Sequence, residues 1–75
     1  MPRSQHSARY KRLCALLAES RRAKGLTQAE VASRLGKPQS YVAKYEGGER
    51  RLDVIEFLEI VEALGVQAVR LIRGL

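Results

Sequence analysis

Residues 25–50, GLTQAEVASRLGKPQSYVAKYEGGER, contain two short segments with helical spacing of apolar residues, separated by a glycine. Thr27 and Glu30 form the pattern of a capping box, in which the threonine hydroxyl and the glutamate carboxylate each accept a backbone N–H at a helix start. Gly36 ends this helix. Pro38 is predicted at the first position of the next helix, where its missing N–H would be unpaired anyway. The sequence therefore predicts two short helices joined by a turn of three or four residues.

The second of these helices has an inward and an outward face. Val42 and Tyr45 are its apolar anchors, while five side chains are predicted to point outward: Gln39, Ser40, Tyr41, Ala43 and Lys44. This outward set is rich in hydrogen-bonding groups and contains no acid. Glutamine and serine can read base edges in a DNA major groove, and lysine can reach guanine or phosphate. Taken alone these would be ordinary surface residues, but the spacing of the two helices is that of a helix-turn-helix, which favours the DNA-reading interpretation.

Three more helices are predicted around this pair. Their predicted bounds are near Ser4 or Ser7 to Gly25 for the first, the cap Asp53 to Gly65 for the fourth, and about Gln67 to Gly74 for the fifth. Because no segment has a strand pattern, we predict an all-α fold of five helices. Residues 1–7 are predicted to be a flexible N-terminal arm, and residues 8–75 a single domain.

The formal charge of +6 is unevenly distributed. Residues 1–24 carry a net +6, residues 25–51 a net +2, and residues 52–75 a net −2. A basic N-terminal part beside an acidic C-terminal part suggests a surface that binds a polyanion, although a merely solvated charged surface remains the alternative.

The composition argues against several other classes of protein. Cys14 is the only cysteine, so that neither a disulfide within the chain nor a zinc cluster is expected. No apolar run approaches the length of a membrane span, and we expect a soluble, cytoplasmic protein. The only histidine, His6, falls in the predicted arm. With no catalytic constellation, metal site or phosphate-binding glycine loop, we expect neither an enzyme nor a cofactor.

The sequence resembles the Cro/lambda-repressor-type, or XRE, family of helix-turn-helix proteins. The resemblance covers about residues 9–73 and is carried by five stretches: GLTQAEVA at 25–32, LG at 35–36, QSYV at 39–42, YEGGER at 45–50 and ALGV at 63–66. It implies a five-helix lambda-repressor-like domain with the helix-turn-helix at helices 2 and 3. It also implies base contacts from Gln39, Ser40 and Lys44, phosphate contacts from Gln28, Tyr41 and Arg50, and a structural ion pair between Arg21 and Glu46. Lys37 is predicted to contact phosphate as well.

Two positions depart from the family pattern. Position 38 is usually a serine or threonine that caps helix 3 with its side chain, and here it is proline. Position 20 is usually a large aliphatic residue and here is serine, which weakens the core contact of helix 1 at that point.

The favoured function is a sequence-specific regulator of transcription that binds double-stranded DNA as a homodimer on a pseudo-palindromic operator. The alternative is an antitoxin-type or other protein-interaction module that uses the same fold to hold a partner protein. Val69, Ile72 and Leu75 follow one another at a spacing of three and are the predicted dimer interface, while Leu71 is predicted to pack back on helix 4. The competing interpretation is that all four side chains complete the core of the monomer.

Overall fold

The structure, a computed structural model, describes residues 7–75, and this range folds into five helices with no strand. The helices are α1 (Ala8–Ala23), α2 (Gln28–Leu35), α3 (Gln39–Glu46), α4 (Val54–Leu64) and α5 (Ala68–Arg73). The predicted all-α, five-helix fold is confirmed. The predicted arm lies outside the described residues except for Ser7, whose side chain accepts a hydrogen bond from the backbone N–H of Tyr10 and caps α1.

Helix α2 begins with the predicted capping box, and α4 begins with a second one at the predicted cap Asp53. The Glu30 N–H donates to Thr27 Oγ1 at 3.0 Å, and the Thr27 N–H donates to Glu30 Oε1 at 2.8 Å. Asp53 and Glu56 exchange the same two bonds at 2.7 and 3.0 Å. Each box pairs two backbone groups that would otherwise lack a partner at a helix start, so the direction in which α2 and α4 leave their loops is set locally.

Pro38 occupies a different position from the one predicted. It is the residue before α3 rather than its first helical residue, with an extended backbone at φ −71° and ψ 156°. Gly36 adopts φ +67°, which allows the Lys37 N–H to reach back to the Ala32 carbonyl at 3.0 Å and closes α2. The Pro38 carbonyl then accepts the first bond of α3, from the Tyr41 N–H. Because a proline side chain has no acceptor, α3 begins without a side-chain cap.

The core joins helices α1 to α5 and fixes the rotation of α3. Val42 and Tyr45 are only 0% and 1% exposed, and they pack against α1 and α2. The other buried members of this cluster are Leu17, Val31, Ala32, Ile60, Val61, Leu64 and Leu71. Since the inward face of α3 is fully packed, its opposite face must point away from the molecule.

An apolar surface remains on α4 and α5. Val54, Ile55 and Leu58 of α4, with Val69 and Ile72 of α5, are 41–71% exposed. A shallow groove of about 270 Å³, bordered by α1 as well as by α4, α5 and their flanking residues, is lined mainly by apolar side chains: Leu13, Leu52, Asp53, Val54, Phe57, Leu58, Ile72 and Leu75. We call this groove the α4–α5 groove. Leu71 is 7% exposed and belongs to the core, and α5 packs mainly against α1, whereas Val69 and Ile72 do not complete the core.

Candidate nucleic-acid interface

The outward face of α3 carries the predicted base-reading residues. Gln39, Ser40 and Lys44 are all exposed, together with the small residue Ala43. Tyr41 differs from its predicted outward position because it is half-buried: its ring meets that of Tyr45 edge-to-face, with centroids 5.7 Å apart. The face available to a ligand is therefore narrower than the sequence pattern suggested, and Tyr41 forms its border.

A chain of hydrogen bonds runs from α1 to the tip of α3. Arg21 donates from Nε to Glu46 Oε2 at 2.7 Å and from Nη2 to Glu46 Oε1 at 3.1 Å. Gln28 Nε2 donates to the same Glu46 Oε1 at 3.0 Å, and Gln39 Nε2 makes a longer, weaker contact of 3.4 Å with Gln28 Oε1. The Arg21–Glu46 ion pair is thus linked by hydrogen bonds to Gln28, the first residue of α2, and through Gln28 to Gln39, the first residue of α3.

This chain determines which way the Gln28 amide points. A carboxylate only accepts hydrogen bonds, so Gln28 must present its amino group to Glu46 and its carbonyl to Gln39. Arg21 and Glu46 are themselves held: their side chains are 12% and 6% exposed, and Arg21 Nη1 also donates to the Leu26 carbonyl at 2.8 Å. The bonds to Glu46 raise the pKa of Arg21 above its usual value. The sequence pointed to the ion pair but gave no sign that Glu46 would also position Gln28.

Replacing Glu46 by Gln should destabilise the fold. The change leaves the Arg21 guanidinium largely buried beside a neutral amide, and removing one partner of a buried ion pair costs about 3–5 kcal/mol. Because Arg21 retains some exposure, we expect a loss of about 2–3 kcal/mol in the free energy of unfolding, measured by urea denaturation. The exposed Glu49→Gln makes the same change of charge and should leave the free energy of unfolding nearly unchanged. Equal stabilities for the two variants would contradict this assignment.

A second group of side chains surrounds Tyr41. Arg50 Cζ lies 4.8 Å from the Tyr41 ring centroid, and Lys37 Nζ lies 5.5 Å from it. Arg50 Nη2 also donates to Glu56 Oε2 at 2.6 Å. We call Lys37, Tyr41, Arg50 and Glu56 the Tyr41 cluster. The structure brings together three of the residues predicted to contact phosphate and adds an acid, Glu56, from the first turn of α4.

The loop between α3 and α4 is held from α1. The Tyr10 hydroxyl donates to the Arg50 carbonyl, and Arg51 Cζ lies 5.0 Å from the Tyr10 ring centroid. Burial, followed by the neighbouring Cys14, raises the pKa of Tyr10 to about 12, so the phenol keeps its proton at neutral pH. The sequence gave no sign of this contact, because a partner 40 residues away along the chain has no local sequence signal.

Other kinds of site have little support in residues 7–75. No group of three or more histidine, cysteine, aspartate or glutamate side chains in that range could hold a metal ion. No helix in the same range is long and apolar enough to cross a membrane. Burial raises the pKa of the Cys14 thiol, which keeps it protonated and unreactive.

The geometry of α2 and α3 is that of a family of DNA-binding regulators. A family model described as helix-turn-helix matches residues 17–71, which is most of the chain. The chain belongs to the XRE-type helix-turn-helix family of DNA-binding transcription regulators. It is 47% identical over 55 residues to an uncharacterized HTH-type transcriptional regulator, y4dJ, of Sinorhizobium fredii (strain NBRC 101917 / NGR234), a match that covers 73% of this chain and 71% of that protein.

Solved structures with the same fold include two relatives above 30% identity. An XRE-family like protein from Pseudomonas syringae pv. tomato str. DC3000 is 51% identical, with a TM-score of 0.86 over 92% of this chain and 84% of that chain. The restriction-modification controller protein C.AhdI from Aeromonas hydrophila is 32% identical, with a TM-score of 0.79 over 87% of this chain and 98% of that chain. The predicted lambda-repressor-like fold and the resemblance to the XRE family are confirmed.

Proposed function

We propose that this protein is a sequence-specific regulator of transcription that acts in the cytoplasm and binds a pseudo-palindromic operator in double-stranded DNA as a homodimer. The observation that carries the proposal is the exposed, acid-free face of α3, which presents Gln39, Ser40 and Lys44 beside an ordered Gln28. An α-helix fits the major groove of B-DNA, where each base pair has its own pattern of donors and acceptors.

Gln39 is the residue for which the structure suggests a particular base. Its contact with Gln28 uses one N–H of the amide, which leaves the other N–H and the carbonyl oxygen for a ligand. One donor and one acceptor side by side match the edge of adenine, where N7 accepts a hydrogen bond and the N6 amino group donates one. We therefore propose that Gln39 recognises adenine, while Ser40 and Lys44 contact neighbouring bases.

Phosphate contacts are proposed on both sides of this face. Gln28 begins α2, where free backbone N–H groups and the helix dipole favour an anion. On the other side, Lys37, Tyr41 and Arg50 of the Tyr41 cluster lie within reach of one another and carry donors suited to a phosphate. These two groups would orient α3, because phosphate contacts set the register and base contacts set the specificity.

Selection of binding sites from random duplexes tests the proposal directly. We expect an enriched pseudo-palindrome whose half-sites lie about one helical turn apart and each contain a specified adenine. Affinity for the selected site should fall steeply with salt, because lysine and arginine contacts release counterions from the DNA. Recovery of no enriched motif would show that the protein is not a sequence-specific regulator.

The homodimer is proposed from the apolar surface of α4 and α5. One copy of α3 covers only one half-site, so high affinity requires two copies related by a two-fold axis. The α4–α5 groove and the exposed Val69 and Ile72 form an apolar surface on elements other than α2 and α3, and a second copy can cover it. We propose that Val69, Ile72 and Leu75 pair across the axis and that Val54 and Leu58 extend the contact.

A partner protein could cover the same apolar surface, as in an antitoxin-type module. Purification of the tagged protein from its own host separates the two interpretations. A homodimer alone supports our proposal, whereas a second protein that copurifies in a fixed ratio and is displaced by Ile72→Asp would assign the surface to that partner.

A further inference from the structure

Within the Tyr41 cluster, the carboxylate of Glu56 lies next to the residues that are proposed to contact phosphate. Glu56 uses its two carboxylate oxygens differently: Oε1 accepts the Asp53 N–H of the capping box, and Oε2 accepts Arg50 Nη2 at 2.6 Å. The hydrogen bond from the Asp53 N–H, and after it the bond from Arg50, lower the pKa of Glu56, so this carboxyl group is ionised at neutral pH. The Arg50 guanidinium is thus engaged by an oxyanion of its own chain.

The other hydrogen-bond donors of this cluster are held beside the Tyr41 ring, and not all of them have an acceptor. Arg50 lies against the Tyr41 ring with 41% of its side chain exposed. Its Nε is buried without a hydrogen-bond acceptor among the residues that the structure describes, so a ligand would contact the exposed part of the guanidinium and not Nε. Lys37 lies over the same ring. Two cations held on one aromatic ring, with one carboxylate oxygen already bound, form a site whose chemistry suits a phosphate oxygen.

We propose that Glu56 is an intramolecular competitor for DNA: its carboxylate binds Arg50 Nη2 and so competes with a backbone phosphate for the Arg50 guanidinium. This inference rests on the proposed function, since it requires that Arg50 faces the DNA backbone. Its consequence is that Glu56 lowers affinity for every duplex, whatever the base sequence, because the exchange involves no base. Glu56 thereby limits the non-specific part of binding without taking part in sequence recognition.

The variant Glu56→Gln tests the competition without removing the helix cap. Glutamine is accepted at this position of a capping box, so the bond from the Asp53 N–H can remain while the charge opposite Arg50 is lost. We expect roughly two- to fivefold tighter binding both to the selected operator and to a random-sequence duplex, the range set by the strength of a partly exposed ion pair. The slope of log affinity against log salt should become steeper by up to about one for the random duplex.

Two controls separate competition from simple charge. Glu62→Gln makes the same change of charge further along α4 and should alter affinity for either duplex much less. In an Arg50→Ala background, Glu56→Gln should lose most of its effect and come close to the Glu62→Gln value, because Arg50 is the group for which Glu56 and phosphate compete. Thermal melting of all variants checks that the fold is retained.

The outcomes are distinct. If Glu56→Gln binds DNA no more tightly than Glu62→Gln, or more weakly than the unchanged protein, the proposed competition between Glu56 and phosphate is wrong. An equal gain with and without Arg50 would mean that Glu56 acts on DNA directly by its charge, which also overturns it. If the unchanged protein selects no motif and binds no duplex, the proposed function itself fails. The binding of the unchanged protein is therefore measured before the variants are compared.

Discussion

Ile72→Asp is expected to convert the protein into a folded monomer that binds its operator roughly 100-fold more weakly, because a monomer makes only half of the specific contacts. Ile72 is 54% exposed in the single chain, so the substitution does not bury a charge in the core. It does bury one in the proposed dimer interface, where an unpaired carboxylate is costly. Sedimentation measures the oligomeric state, circular dichroism the helix content, and titration of the operator the affinity.

The exposed Ile55 provides a matched comparison on the neighbouring helix. It is 63% exposed but is not among the residues lining the α4–α5 groove. Ile55→Asp should leave the dimer and its operator affinity largely intact. If Ile55→Asp gives a monomer and Ile72→Asp does not, the interface lies on the outer face of α4. An unfolded Ile72→Asp variant would show that this residue contributes to the core after all.

Gln39→Ala should cost about 1–3 kcal/mol on the selected operator, which corresponds to roughly 5- to 150-fold in affinity. The loss should be confined to operators with adenine at the contacted position, because the variant no longer supplies the donor and acceptor that distinguish adenine from other bases. The preference at that position should therefore weaken while preferences elsewhere remain. Operators that carry each of the four bases at this position, titrated with both proteins, measure the effect.

A contact to phosphate behaves differently and supplies the control. Arg50→Ala should weaken binding to all four of these operators by a similar factor and reduce the salt slope by about one. Lys44→Ala is expected to resemble Gln39→Ala at a neighbouring base. If Gln39→Ala instead lowers affinity for every operator equally, Gln39 contacts the backbone or positions Gln28, and the assignment of base recognition to it is wrong.

Local sequence signals were enough to locate the helices. The capping boxes at Thr27 and Asp53 and the turn at Gly36 involve residues only a few positions apart, so their chemistry is visible in a short stretch of chain. Pro38 shows the limit of such reasoning. Its sequence context suits either the residue before a helix or the first helical residue, and the choice depended on how Gly36 and Lys37 closed the preceding helix.

The sequence by itself determined the all-α class, the helix-turn-helix and the polar face of α3, because apolar periodicity, caps and turn residues act over short distances. Only the tertiary structure decided which side chains meet across the fold. Glu46 joins Arg21 to Gln28, and Glu56 joins Arg50, through contacts between elements whose relative position follows from packing of the whole core. Tyr41 could not be assigned to the border of the interface until Tyr45 was placed beside it. Spacing along the chain does not predict such pairs, because they form only when burial of the shared apolar cluster brings distant residues together.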